Sequence, residues 1–248
     1  RIVIRTLPVA AVVLLLLTQQ VAAEEVIELP QQLLADATDG SLDEFSLLQA
    51  SLIASGVEDR QRVAAYADEF ASFVAQLEPA VISEASHFTL EETLYNALHQ
   101  QLLTGDYHST CTEVDRAFDD GDYNCVTATI LYQCLCEEFD VSPIAVATNT
   151  HVRSRVVGAE AFDVETTCAD WFDVVRQSPA ILTLRQNESV RQLTDIQLLA
   201  KIYYNRGVSL LEIKSFAAGV AMLETSQLLD TADKPTRKNL AAGSNNWA

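Results

Sequence analysis

The chain has 248 residues, 49% of them apolar, and a formal charge of −19 from 16 basic and 35 acidic side chains. That length buries one substantial core, or one core with a helical appendage. So acidic a surface repels phosphate backbones and anionic lipid, which argues against nucleic acid or a membrane surface as partner and leaves the substrate open.

Residues 1–23 read as a secretory signal. Arg1 and Arg5 give a basic start, an apolar run follows from Pro8 to Leu17, and Val21-Ala22-Ala23 puts small residues where signal peptidase cuts. The run is shorter than the roughly 20 residues of a comfortable span. Cleavage after Ala23 is therefore expected, with an uncleaved anchor as the alternative, and the protein is expected to be exported to a periplasmic or extracytoplasmic site. Losing two arginines and no acid makes the mature chain more acidic still.

Residues 24–105 form a helical lead-in. Two amphipathic helices are predicted between Asp43 and Leu77, one marked by Phe45, Leu48, Leu52 and Ile53, the other by Val63, Tyr66, Phe70, Phe73 and Val74. Ser41-Leu42-Asp43-Glu44 supplies a capping start for the first, and Pro79 is expected to end the second. A third helix is predicted from Leu90 to Leu103, capped by Thr89 and stopped at Gly105.

Residues 106–186 change character. A polar stretch from 106 to 124, with a turn at Asp119-Asp120-Gly121-Asp122, leads into a helix from Cys125 to Phe139 whose apolar side holds Ile130, Leu131 and Leu135. Asp140-Val141-Ser142-Pro143 closes it. Short β-branched runs at Ile144–Ala147, Val152–Val157 and Phe162–Thr166 predict strands, the last two as an antiparallel hairpin. From about Ser189 the chain, counted as a tail over 187–248, is predicted helical again.

Cys125 is the informative residue. At the first turn of a helix its sulfur meets free N–H groups and the positive end of the dipole, which favours the thiolate that a nucleophile needs. His151 is the only histidine after it, in a β-rich stretch, and suits the role of proton acceptor. A carboxylate on the next strand would hold that ring, and Asp163 and Glu165, two apart on one face, are equal candidates. The oxyanion is expected near the Cys125 N–H, with a second donor the sequence does not identify.

The remaining cysteines are Cys111, Cys134, Cys136 and Cys168. Cys134 and Cys136 point to different sides of a helix and cannot bridge; a Cys111–Cys168 disulfide and reduced thiols are both open. His99 is expected in solvent at mid-helix, His87 before a cap and His108 in a loop. His108 and Cys111 have a metal-like spacing without a second pair to complete it, so no metal and no organic cofactor are expected.

The stretch from Asp122 to Thr167 resembles the transglutaminase-like superfamily, whose core is papain-like. Cys125 opens the helix, Phe139-Asp140-Val141-Ser142-Pro143 stands at the turn, His151 takes the histidine position, and Glu165-Thr166-Thr167 stands where the family has Asp-Pro-Thr. Asn124 replaces a small residue, and Val152 and Arg153 stand where an aromatic commonly follows the histidine. In the tail, Tyr203, Gly207, Phe216 and Gly219 resemble a tetratricopeptide unit, with Thr236 to Trp247 as its packing partner. The flanks are similar to the bacterial branch that joins such a core to short helical repeats.

The resemblance implies an α+β fold and a cysteine-dependent acyl hydrolase or transferase acting on amide bonds, with Cys125, His151 and Glu165 (or Asp163) as a triad. Its substrate would be a peptide or protein, with a further protein partner on the tail. The alternative is a catalytically inactive member that binds a peptide or protein in the cell envelope. A third expectation, without chemistry, is a structural envelope protein with Cys125 in its core.

Overall fold

The computed structural model describes residues 28–84, 89–157, 161–172 and 190–247, without the side chains of 78–84. The expected signal segment, His87 and Gly158-Ala159-Glu160 lie outside these. The fold is α+β, with helices around a small antiparallel sheet.

The lead-in contains α1 (Leu29–Ala37), α2 (Leu47–Ala54), α3 (Arg60–Glu84) and α4 (Leu90–Gln101). Helix α1 was not expected; Leu29, Leu33 and Ala37 recur every four residues and form its buried stripe. The cap expected at Ser41 belongs instead to Ser46, which forms a reciprocal capping box with Gln49. The Asp36 carboxylate explains the difference, because it accepts from the N–H groups of Asp43, Glu44 and Phe45 at 2.9, 3.0 and 3.2 Å and holds that segment as a loop. Pro79 does not end α3, which runs on to Glu84. Thr89 caps α4 as expected, accepting from Glu92 N–H at 3.3 Å.

A short helix, α5 (Asp115–Asp119), interrupts the stretch read as polar loop, and α6 (Cys125–Glu137) follows. Every residue of α6 from Val126 to Cys136 is buried. A helix buried on all sides is an interior helix, and α6 packs against α2, α4 and the sheet. Asp140, in the left-handed region at φ 56°, turns the chain out of it.

Strands β1 (Ile144–Ala147), β2 (Val152–Val156), β3 (Phe162–Val164) and β4 (Arg191–Leu193) form one antiparallel sheet in the order β3-β2-β1-β4. The expected β2–β3 pairing is present, with Arg155 opposite Asp163. Strand β4 falls in the stretch expected to be helical from about Ser189; three residues with arginine and glutamine carry too weak an alternation to announce a strand.

The tail contains α7 (Asp195–Glu212), α8 (Phe216–Leu229) and α9 (Lys234–Trp247). Gly207 and Gly219 sit where α7 and α8 cross: a Cβ on Gly207 would lie 3.1 Å from the Gly219 carbonyl oxygen, and one on Gly219 3.0 Å from that of Gly207. Helix α9 packs along α8. Lead-in, middle and tail share one apolar core running from Leu29 to Leu229. The segment counted as tail also supplies β4 to the sheet, and its Arg206 guanidinium donates to the Ala54 carbonyl at the end of α2.

Candidate functional site

Asn124 sets the position of Cys125. Its backbone is extended, and its Oδ1 accepts from the N–H groups of Val126 and Thr127 at 2.8 and 2.9 Å, while the Thr127 hydroxyl accepts from Asn124 N–H at 2.8 Å. This reciprocal cap fixes the first turn of α6. It also changes the expectation of a helix end rich in free donors, since two of the first three N–H groups are taken and that of Cys125 is left. The Cys125 side chain is half-buried.

His151 closes the turn between β1 and β2. Its N–H donates to Thr148 Oγ1 at 3.1 Å, and its carbonyl accepts from Thr148 N–H at 2.8 Å. Its Nε2 lies 2.8 Å from both carboxylate oxygens of Glu165. Thr167 Oγ1 donates to the same carboxylate at 2.8 Å, and the buried Tyr95 hydroxyl is shared between the carbonyls of Glu165, at 2.9 Å, and Cys168. Glu165 is thus held at both ends. Because an ionised carboxylate only accepts, Nε2 carries its proton toward Glu165, and Nδ1 is the nitrogen left for exchange.

Cys125 is among the groups that act on the protonation of the ring. Burial opposes the charged imidazole, but hydrogen bonding and charge from Cys125 and Glu165 outweigh it and hold the pKa up at about 9. His151 therefore keeps its proton at neutral pH, paired with Glu165.

Asp163 is engaged elsewhere. Its carboxylate accepts from Arg153 Nε at 2.7 Å and from Arg155 Nε, and these guanidinium groups hold its pKa below the usual carboxylate value despite burial. The register explains the division: Asp163 stands within β3, opposite Arg155, whereas Glu165 lies one residue past the end of the strand and reaches the turn that carries His151. Of the two carboxylates that the sequence left equal, Glu165 is the one on His151.

Several contributing residues were not singled out in the sequence. Thr129 and Thr166 join α6 to the segment after β3 through their hydroxyls at 3.0 Å, and the Tyr123 hydroxyl donates to the Thr167 carbonyl at 3.4 Å. Tyr107 stands opposite Tyr123, two residues before Cys125, in a parallel bridge, and burial, with Cys125 and Glu165 acting in the same direction, raises its phenol to about 12. Only the cap was legible in advance, because Asn followed by Thr three positions on is a local pattern. The others meet across the fold.

His99 corrects an expectation of solvent exposure. It is buried on α4, with its ring centroid 4.7 Å from that of Tyr95 and 5.7 Å from that of Tyr123. Burial pushes its pKa down to about 4, against a hydrogen bond with the Thr166 backbone. Tyr95 and His99 are four apart and share the helix face turned inward. All five cysteines carry free thiols, including Cys111 and Cys168. Burial pushes Cys111 up to about 11 and Cys136 to about 12.

Among the described residues no group of three or more histidines, cysteines or acids is arranged to hold a metal ion, and no helix is long and apolar enough to cross a membrane. Comparison with protein-family models, with curated proteins and with solved structures gives no match.

Proposed function

We propose that the protein is a cysteine-dependent acyl hydrolase or transferase acting on amide bonds of a peptide or protein, on a papain-like core of transglutaminase type. One observation carries this reading: His151 is bonded through Nε2 to a fixed carboxylate while its ring answers to the Cys125 thiol. Thiol, imidazole and carboxylate in series are the parts of covalent acyl chemistry.

In this reading Cys125 attacks the carbonyl carbon as thiolate. His151 gives its Nδ1 proton to the departing amine and later takes one from the water or amine that releases the acyl group. Glu165 orients the ring and balances its charge. Asp163 braces β2 against β3 through Arg153 and Arg155. The chain acts after export, and the α7–α8 hairpin serves as a tetratricopeptide-like platform for a protein partner.

The second reading, an inactive module that binds peptide or protein in the envelope, draws on a different feature. A cleft of about 390 Å³, lined by Asn149, Tyr204, Lys234, Pro235, Lys238 and Asn239, lies between the tail and the turn that precedes His151.

Alkylation by iodoacetamide at pH 7 separates the two. The enzyme reading expects labelling of Cys125 well above the rate of a free thiol, absent in Cys125→Ala and at least about tenfold slower in His151→Ala. Labelling at the free-thiol rate supports the binding module and removes the catalytic role.

A further inference from the structure

When a sulfur adds to a carbonyl carbon, negative charge collects on the carbonyl oxygen, and an efficient site holds preset donors there. The first turn of α6 offers one. Asn124 Oδ1 has taken the N–H groups of Val126 and Thr127, so only that of Cys125 is left at the helix end. A second donor must come from another segment.

Residues 105–108 run alongside the stretch that leads into Cys125. Gly105 N–H donates to the Gly121 carbonyl at 3.0 Å, Tyr123 N–H to that of Asp106 at 3.3 Å, and His108 N–H to that of Tyr123 at 2.9 Å. Tyr107 and Tyr123 form the parallel bridge at the centre of this run. The two glycines permit the approach: Gly121 has φ +78°, and a Cβ added to it would lie 2.6 Å from the Gly105 nitrogen. Tyr107 is thereby pinned beside the strand-like stretch that enters Cys125. Its ring meets that of Tyr123 edge-on at 6.0 Å, and the residue is 42% exposed.

We propose that Tyr107 is a catalytic residue, its hydroxyl being the second donor, with the Cys125 N–H, to the oxyanion formed at an acyl carbon. The inference rests on the acyl-transfer reading above. The phenol holds its proton up to about pH 12, so it remains a donor at the pH of the reaction, and Cys125 is among the groups that raise it. As the carbon–sulfur bond forms, the carbonyl π pair moves onto oxygen, and the phenol O–H donates to that oxygen. On collapse the pair returns, the bond to the leaving group breaks, and His151 protonates the leaving group where it needs a proton. Tyr107 neither gains nor loses one.

The test compares two reagents on Tyr107→Phe, which keeps the ring on Tyr123. Acylation of Cys125 by p-nitrophenyl acetate passes through an oxyanion; alkylation by iodoacetamide displaces iodide from a saturated carbon and does not. The expected result is acylation slowed on the order of 10²-fold with alkylation within about threefold of wild type. The alkylation rate in the same sample reports that the Cys125–His151 pair is intact. Equal losses with both reagents, or no loss with either, would overturn the assignment of Tyr107 and leave the acyl reading in place. Wild-type protein that alkylates no faster than a free thiol and takes no acyl group would remove both.

Discussion

His151 gains a carboxylate and a thiol on folding, whereas His99 is enclosed by aromatic rings with one backbone hydrogen bond and the distant charge of Asp170. Their contributions to stability run in opposite directions with pH. His151 is raised from 6.5 to about 9, so the folded state binds more protons between those values. Its contribution is complete below pH 6.5 and is lost as pH rises through 9. His99 is lowered from 6.5 to about 4, so its contribution holds above 6.5 and is lost as pH falls through 4. Melting temperature against pH should therefore peak near 6.5; His151→Gln should flatten the alkaline limb and His99→Phe the acid limb. Limbs unchanged in both variants would contradict these environments. At this scale the sequence supplied a thiol, an imidazole and two carboxylates, and the choice between Asp163 and Glu165 waited on which of them stood opposite an arginine.

Elements were legible where periodicity was long. The stripe of Val63, Tyr66, Phe70, Phe73 and Val74 on α3 is buried as its spacing requires. Short elements such as α5 and β4 were missed, since three to five residues hold less than two turns of helix or two steps of alternation. The α7–α8 crossing gives a prediction of its own. Alanine is favoured over glycine within a helix by about 1 kcal/mol, yet a Cβ on Gly207 would come within 2.8 Å of Leu223 Cγ and 3.1 Å of the Gly219 carbonyl. Overpacking costs about 1–3 kcal/mol and should win. Gly207→Ala should thus lower the urea midpoint, and a higher midpoint would show that the helices part easily.

The whole molecule binds its three sequence segments into one core. Buried Lys201 on α7 is held at 2.6 Å by Asp233, and Arg191 of β4 pairs with Asp230 and Asp233, so the tail is tied to the sheet edge by desolvated charges. Removing one partner of a buried pair costs about 3–5 kcal/mol, a loss expected for Asp233→Ala in denaturant melts. A fragment of residues 106–186 lacks β4, α2, α4 and α7, which cover β1 and α6. It should show no cooperative thermal transition, although the sequence marked it as the central domain. The chain by itself determined the acidic surface, the longer helices, the hairpin of β2 and β3, and the helix start at Cys125, because these follow from composition and from patterns within a few residues. Only the tertiary structure decided which carboxylate meets His151, that His99 is buried, and that Tyr107 pairs with Tyr123 just before the start of α6. Those are contacts between residues 14 to 67 positions apart, and local pattern carries no record of which distant segments a shared core will bring together.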